Sequence, residues 1–542
     1  MNILVIIPAR GGSRGIPRKN LRTLNDRPLI YYSINTALNS KFKPDVVVSS
    51  DDDEILMFAR RFGAETFKRP KTLADDKTTL EPVIYNAFAE IAKRKKKNYE
   101  IVITIQPTSP MLSTSTLDKA IAKFIGKSDV DVLISVKEKR HLSWKIENNR
   151  FVPNYSERLN RQQLEPVFEE TGSFVICRAD NLVKSGKRIT GKVDLYELSK
   201  KEAIDIDDYD DWALCEFYLK RKKILFVLTG NHQNGLGHIY RSIVLAYGIL
   251  NHEIAFLVDN ESKLGYDKLN GYYFTTYIQE HENILDDIRQ INPDVVINDR
   301  LDTSEAYMKS LKSFVPKVIN FEDNGSGTIY ADLVINALYP EKKPLRNHYF
   351  GYEYFCARDE FINTKVKEVE DVNNVLVSFG GVDPNNLTRK VVESIYEFCK
   401  RNRISITVVE GLGYKEHKSL NDFPDVKIIR NVTNISEYFL ESDIIFTSAG
   451  RTVYEIACIG TPSIVIPQNE REMTHLFADS STGFIKLGLG KDLENQEILT
   501  TFAELTENKK LRKEMNKKML SYDLRSGKKR TLSLMNQIIE DR

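Results

Sequence analysis

Four cations and three glycines crowd one loop at the start of the chain. Residues 9–20 read Ala-Arg-Gly-Gly-Ser-Arg-Gly-Ile-Pro-Arg-Lys-Asn, directly after the apolar run 3–7. Gly11, Gly12 and Gly15 let backbone N–H groups come close to an anion. Arg10, Arg14, Arg18 and Lys19 supply the charge that a triphosphate needs. The loop is not a P-loop, because the Gly-Lys-Ser/Thr ending is missing. Asp205 and Asp207 stand two apart, so on an extended segment their carboxylates face the same way. A second glycine-rich loop, residues 229–241, carries Gly235, Gly237 and His238 in the pattern Gly-x-Gly-His-x-x-Arg. A histidine at a helix start has its neutral form favoured, which suits a general base near pH 7. Two later turns, Ser378-Phe379-Gly380-Gly381 and Ala449-Gly450-Arg451, also follow apolar runs. The second of them opens a helix whose N-terminus can hold phosphate, and Glu455, one turn on, is placed for ribose hydroxyls.

These residues need a scaffold that brings strand ends together. Short β-branched runs at 46–50 and 101–105 alternate with helical patterns near 29–39, 53–62, 80–94 and 114–126. That alternation predicts a mostly parallel, doubly wound sheet with ligands at the carboxyl ends of its strands. The basic loop, Ser49-Ser50-Asp51 and Gln106-Pro107-Thr108 then converge on one crevice. Helical periodicity over 208–220 leads through the basic cluster 220–223 into a new apolar strand at 224–228. The 542 residues are too many for one ordinary core, and the break divides them into domains 1–222 and 223–542. Residues 500–542 read as two charged amphipathic helices closing the last lobe of the second domain.

Composition narrows the function classes. Lys plus Arg is 78 against 76 Asp plus Glu, a net charge of +2, which gives no basis for nucleic-acid binding through bulk charge. Five cysteines are scattered without metal-ligand pairs, as suits a reducing cytoplasm. No signal peptide is expected, and no apolar run reaches membrane length. The expectation is a cytoplasmic protein without membrane attachment.

The series Pro8-Ala9-Arg10-Gly11-Gly12-Ser13-Arg14-Gly15, Lys19-Asn20, Pro28-Leu29-Ile30, Ser49-Ser50-Asp51, Lys68-Arg69-Pro70, Gln106-Pro107-Thr108-Ser109-Pro110 and Ile204-Asp205-Ile206-Asp207 resembles the cytidylyltransferases that activate nonulosonic acids, the CMP-sialic acid synthetase family. The resemblance covers nearly all of the first ~220 residues and implies a Rossmann-like, GT-A-like nucleotidyltransferase domain. It implies transfer of CMP from CTP to a nonulosonic acid with release of pyrophosphate. Arg10 and Arg14 are then catalytic, and Arg10, Gly11, Gly12, Ser13, Arg14, Lys19, Asn20 and Arg69 bind the nucleotide. Asp205 and Asp207 match the family's magnesium pair, and hard oxygen ligands suit Mg²⁺ bridging to phosphates. Gln106, Thr108, Arg161 and Gln162 fall on the sugar side, and the family implies a homodimer through this domain. Two departures stand out. Arg14 occupies a position where lysine is usual. Glu170-Thr171-Gly172-Ser173-Phe174 replaces the commoner Asn-Gly-Ala-Ile-Tyr facing the sugar, which points away from plain neuraminic acid.

The second half, through the motifs around His238, Gly380-Gly381 and Ala449-Gly450, resembles the two-lobed, metal-independent GT-B proteins. Within them it is similar to the UDP-sugar hydrolase of pseudaminic acid synthesis and its spore-coat polysaccharide relatives. The resemblance implies lobes of about 223–365 and 366–542. His238 carries over as the base that activates water, Gly235 and Gly237 as substrate contacts, and Gly380, Gly381, Ala449, Gly450, Arg451 and Glu455 as nucleotide contacts. A tyrosine that the hydrolases place after a mid-lobe strand is not evident, and Asp299-Arg300-Leu301 stands there instead. An asparagine they use has no clear counterpart within 468–474. Together the halves imply a bifunctional enzyme of pseudaminic-type acid biosynthesis, with a separate condensing synthase acting between its two steps. The alternatives are a neuraminate or legionaminate cytidylyltransferase fused to a glycosyltransferase, or to a non-catalytic nucleotide-sugar sensor.

Overall fold

Residues 3–7 lie in the strand Ile3–Pro8, every side chain of which is buried. Ile3, Val5 and Ile7 pack on one face with Ile30, Ile34, Leu117 and Ile121. Leu4 and Ile6 pack on the other with Ile84, Phe88 and Ile91. A strand apolar on both faces belongs at the centre of a sheet with helices on either side. The protein, a computed structural model, is described for residues 1–13, 15–75, 77–231, 235–340, 345–411, 414, 420–430 and 432–541. It divides into two compact units, Met1–Lys220 and Arg221–Arg542.

The first unit is built on a seven-stranded sheet. Ile3–Pro8 pairs in parallel with Asp45–Ser50 and Ile101–Thr104. Phe168–Arg178 runs against its neighbours, with a register shift between Glu170 and Val175. That shift falls on the segment 171–174, where the sequence departs from the pattern it otherwise resembles. The helices Leu29–Leu38, Asp53–Arg61, Leu80–Lys95 and Thr114–Ile125 follow the expected pattern. Asp52 and Ser113 start two of them by accepting backbone N–H groups of the first turn.

The second unit carries two parallel sheets. One has seven strands with Val295–Asp299 at its centre beside Lys223–Leu228, and the other has six with Asn374–Val377 and Ile444–Thr447 in the middle. The tail differs from expectation in two ways. It forms three helices, Asn495–Glu507, Lys509–Leu520 and Gly527–Glu540. The first two pack on the six-stranded sheet through Phe502, Leu505, Met515 and Met519. The last returns to the other sheet, because Thr531, Met535 and Ile539 form a buried stripe at helical spacing. The second lobe therefore does not run unbroken from 366 to 542. Phe355, Ala357 and Phe361 in turn belong to the core of the six-stranded lobe. Among the described residues no helix is long and apolar enough to cross a membrane.

Candidate active sites

In the first unit, the strand ends open on a cleft lined by Arg10, Ser13, Lys19, Asn20, Arg69, Gln106, Thr108, Asp205 and Asp207. The glycine-rich loop lies on the acidic segment, where a β-carbon at Gly15 would collide with the Asp207 carbonyl. Asn20 donates its side-chain amide to the Arg10 carbonyl at 3.0 Å. Lys19 donates to the Ile206 carbonyl and stands 3.8 Å from Asp207 Oδ1. The Ile206 N–H donates to the Thr108 carbonyl at 2.8 Å, tying the acidic segment to the Gln106 loop.

Charge in this cleft is unbalanced. Arg69 is buried, and its Nε and Nη2 have no hydrogen-bond partner. Burial lowers its pKa and the Arg10 charge adds to that, against Asp51 at 3.8 Å. A buried, under-satisfied guanidinium favours an incoming anion. Asp205 Oδ1 is likewise buried without a hydrogen-bond partner. Burial pushes the Asp205 carboxyl up, Asp207 and Asp211 add to the shift, and the Thr108 hydroxyl beside it offsets part. The Asp207 side chain is 84% exposed. One orphaned buried carboxylate oxygen next to one solvated carboxylate fits a divalent cation that takes its other ligands from phosphates and water. Among the described residues no group of three or more His, Cys, Asp and Glu side chains is placed to hold a metal.

Several residues fall differently from expectation. The Gly11 N–H is engaged by Asp51 Oδ1 at 3.1 Å, because Asp51 directly follows the neighbouring strand Asp45–Ser50. Gly12 faces open space between Gly11 and Ser13. Arg14 lies outside the described residues. Arg161 and Gln162 sit on the exposed turn Arg161–Gln163 and line a separate cavity with Lys137, Arg140 and Lys200. They are not brought to the cleft of Arg10 and Arg69, because their segment joins the sheet beside the far end of Val132–Glu138, where Phe168 pairs with Glu138.

In the second unit, Lys223–Leu228 breaks into the loop that leads to the helix Gly237–Tyr247. His238 Nδ1 is 2.5 Å from Asp299 Oδ1. Asp299 ends the adjacent parallel strand, in register with Leu228, and is fully buried. Arg241, one turn beyond His238, donates Nε to Asp299 Oδ2 at 2.7 Å and Nη1 to Glu322 Oε1 at 3.0 Å. Ser242 adds a hydroxyl to Asp299 at 3.3 Å. Burial alone would raise the Asp299 pKa, but the Arg241 charge and the hydrogen bonds from Arg241 and His238 hold it well below the usual carboxylate range. An ionised carboxylate on Nδ1 fixes that nitrogen as the N–H donor, which leaves Nε2 for the cavity that His238 lines. Behind this group, Asn298, Asn320, Asp323 and Thr303 form a satisfied buried network that holds the loops carrying Asp299 and Glu322.

That cavity is also lined by Gly235, Gly237, Gly380, Gly381, Gly450 and Arg451. Ala449 lies behind it, with its N–H donated to Glu472 Oε2 at 3.3 Å. Glu455 lines a neighbouring cavity with Tyr240, Lys268 and Arg358. It is buried rather than a solvated cap, and accepts Arg358 Nε at 2.9 Å. Arg471 of the second lobe crosses to the first, donating to the Glu322 carbonyl at 3.0 Å and lying over the Tyr339 ring.

Asp299, Glu322, Arg358 and Arg471 were not singled out for these positions by sequence. Asp299 and Glu322 had one usable signal, an acidic residue closing a buried parallel strand (Val295–Asp299) or following one directly (Lys317–Phe321). Arg358 and Arg471 had none, because their partners are distant in sequence.

Residues 4–224 match the family Cytidylyltransferase, and residues 374–531 match Glycosyltransferase family 28 C-terminal domain. A Campylobacter jejuni pseudaminic acid cytidylyltransferase is 31% identical over 226 residues, covering 41% of this chain and 97% of that protein. An uncharacterised Methanocaldococcus jannaschii protein is 31% identical over 274 residues, covering 46% of this chain and 56% of the relative's own length. A Helicobacter pylori protein described as pseudaminic acid cytidylyltransferase and UDP-2,4-diacetamido-2,4,6-trideoxy-β-L-altropyranose hydrolase is 23% identical over 524 residues, covering 92% of this chain and 95% of that protein. With its basic loop, its Asp205–Asp207 pair and these matches, the chain belongs to the cytidylyltransferase family, and it carries a glycosyltransferase family 28 C-terminal domain in its second unit.

Proposed function

We propose that the chain is a bifunctional enzyme of nonulosonic acid biosynthesis. The first unit transfers CMP from CTP to a pseudaminic-type acid, and the second hydrolyses a UDP-linked diacetamido-trideoxy sugar. The observation that carries the second activity is the His238 imidazole, held at Nδ1 by a buried, ionised Asp299 at the wall of a cavity. Support for the pairing comes from the Helicobacter pylori relative, aligned over most of both chains.

In the first unit the anomeric hydroxyl of the sugar attacks the α-phosphate of CTP, and the bond to the β-phosphate breaks to release pyrophosphate. Arg10, Lys19 and Arg69 position the triphosphate and offset its charge. Arg14, from the same loop, is assigned to this group by its motif. Gln106 and Thr108 lie on the sugar side. Magnesium held by Asp205 and Asp207 would supply further neutralisation of the phosphates when bound. In the second unit His238 Nε2 takes a proton from water as the water oxygen bonds to the anomeric carbon. The sugar–phosphate C–O bond breaks, and UDP leaves with its electron pair.

The exposed hairpin Trp144–Glu147 and Arg150–Pro153 supports a homodimer through the first unit. It presents Trp144 at 56%, Ile146 at 66% and Phe151 at 76% exposure. All five cysteines are free and buried, which supports a cytoplasmic location. A separate condensing synthase, using phosphoenolpyruvate, would turn the sugar freed by the second unit into the acid that the first unit activates.

The test is direct. The protein is incubated with CTP, pseudaminic acid and Mg²⁺, and CMP-sugar and pyrophosphate are followed by ³¹P NMR. Formation of both is expected, and activation of legionaminic acid in preference would reassign the sugar. In a second tube the UDP-sugar is supplied without acceptor. UDP release there is expected, whereas turnover that appears only with an added acceptor would make the second unit a glycosyltransferase.

A further inference from the structure

Glu322 lines the cavity of His238 with almost none of its surface. It directly follows the strand Lys317–Phe321 and is 2% exposed. Its Oε1 accepts Arg241 Nη1 at 3.0 Å and the Ala337 N–H at 3.1 Å, and its Oε2 accepts the Leu338 N–H at 3.2 Å. With both oxygens taken by donors, it is not free to attack a sugar or to pass a proton. Its backbone is left-handed, with φ 51, a conformation that costs a non-glycine residue energy and persists where the surroundings enforce it. The Ile335 carbonyl accepts its N–H at 2.9 Å, and Arg471 of the second lobe donates to its carbonyl at 3.0 Å.

Counting charge gives this constrained carboxylate a use. Arg241 lies between two carboxylates, meeting Asp299 through Nε and Nη2 and Glu322 through Nη1. With Asp299 as its only partner, the two charges would cancel and little would remain for His238. With Glu322 present as well, one cation stands against two carboxylates, and the group keeps one negative charge while His238 is neutral. A proton on the imidazole then brings the group to neutrality, and a buried site favours the state without an unmatched charge. Arg241 Nη2 also stands 3.2 Å from His238 Nδ1, so its charge opposes an imidazolium directly unless a second carboxylate offsets it. Among the described residues, the other charged side chains lining this cavity are Arg451, Arg471 and Glu472 of the second lobe. Arg471 has Asp302 at 3.4 Å, and Glu472 accepts the Gln468 and Ala449 N–H groups. Arg451 is coupled to Glu455 and Glu322 as well as to Arg241. Tyr339, Tyr454 and Cys356 also face the group, and burial pushes the pKa of each up, which keeps them neutral.

We infer that Glu322 is a positioning residue for the hydrolysis: as the counter-ion of Arg241, it frees the Asp299 charge for the imidazolium that forms on His238. That imidazolium forms when Nε2 takes a proton from water, as the water oxygen bonds to the anomeric carbon and UDP leaves with the electron pair of the broken C–O bond. This inference rests on the proposed UDP-sugar hydrolysis and adds the residue that readies its base. A purely structural role, tying down Ala337 and Leu338, predicts lower stability in a Glu322 variant and no change in the pH at which His238 takes its proton.

The two roles separate in the ligand-free protein. Histidine is labelled with nitrogen-15, and the His238 imidazole is titrated by NMR in wild type, in Glu322→Gln, and in the double variant Glu322→Gln with Arg241→Gln. Glu322→Gln is expected to take the proton at lower pH than wild type, because Arg241 then claims Asp299. The double variant lacks the competing cation too and is expected to return toward wild type. In turnover, Glu322→Gln is expected to lose roughly 10–100-fold in kcat with KM little changed, and the double variant no more than that. A His238 titration unmoved in Glu322→Gln would overturn the inference, as would losses of kcat that add in the double variant. Removing both charges leaves neither one unpaired, so the double variant serves where the single one does not fold. A titration there far below that of wild type would equally overturn the inference. No UDP release by wild type would overturn the hydrolase reading and the role in hydrolysis with it, whereas an unmoved titration in a protein that does release UDP overturns this inference alone.

Discussion

At the first unit's cleft a buried oxygen of Asp205 has no partner and Asp207 is solvated, whereas at the second unit's both oxygens of Asp299 are met by Arg241, Ser242 or His238. Both clefts begin where a buried parallel strand breaks into glycines. In both, a carboxylate from a nearby element holds a backbone N–H of the glycine-bearing turn, Asp51 on Gly11 and Glu472 on Ala449. What differs is how each meets the charge of its substrate. The first offers cations and one partnerless buried carboxylate oxygen beside a solvated carboxylate, which a divalent ion would fit. The second keeps a His–Asp–Arg cluster whose buried carboxylate is already paired on both oxygens. One chain thus carries two clefts that arrange charge differently.

The sharpest way to break that contrast is to remove metal. With EDTA, pyrophosphate release by the first unit is expected to fall to background while UDP release by the second is unchanged. Asp205→Ala should reproduce the loss in the first unit alone. A second unit that stops in EDTA would erase the difference between the sites. Next in size is His238→Ala, expected to cut UDP release by about 10²–10⁴-fold with CMP transfer intact. Equal loss of both activities would show that the sites are not independent. Asp299→Asn tests whether the second cluster acts as a unit. It is expected to lower kcat by about 10²-fold or more with little change in KM, and the nitrogen-15 shifts of His238 should report a changed tautomer. Unchanged shifts with unchanged kcat would leave Asp299 a packing residue.

The smallest effect concerns acid. His475 is buried beside Tyr454, accepts the Phe477 and Ala478 N–H groups at Nδ1, and has its pKa pushed down by burial to about 3. The folded state therefore holds it neutral, while the unfolded chain takes a proton near the ordinary value of 6.5. Stability from this residue is fully present above that value and falls as the pH drops toward 3, by about 1.4 kcal/mol per pH unit. Asp299, with a depressed pKa, adds a loss in the same direction at lower pH. Urea unfolding of the second unit between pH 4 and 8 should show a steeper acid limb in wild type than in His475→Asn. Equal limbs would contradict the assignment.

The parts of each site that were legible are those encoded locally. The basic loop, the Asp205–Asp207 spacing and Gly-x-Gly-His all lie within a few residues, next to apolar strands whose composition alone marks them as central. Asp299 was visible only as a residue standing where another was expected, because its meaning comes from the register that sets it beside Leu228. Arg358 and Arg471 depend on contacts across roughly a hundred residues, as in the 97 between Arg358 and Glu455. The last helix was read as closing the second lobe for a related reason. Its stripe of Thr531, Met535 and Ile539 predicts a buried face without saying which sheet will cover it.

The most direct test of the central claim uses one substrate and no additions. The protein is mixed with UDP-2,4-diacetamido-2,4,6-trideoxy-β-L-altropyranose in EDTA, without acceptor, and UDP release is followed by NMR beside His238→Ala. Release by wild type that is lost in the variant is expected, and would establish a metal-independent hydrolase alongside the cytidylyltransferase. No release by wild type in EDTA, or equal release by both proteins, would contradict it.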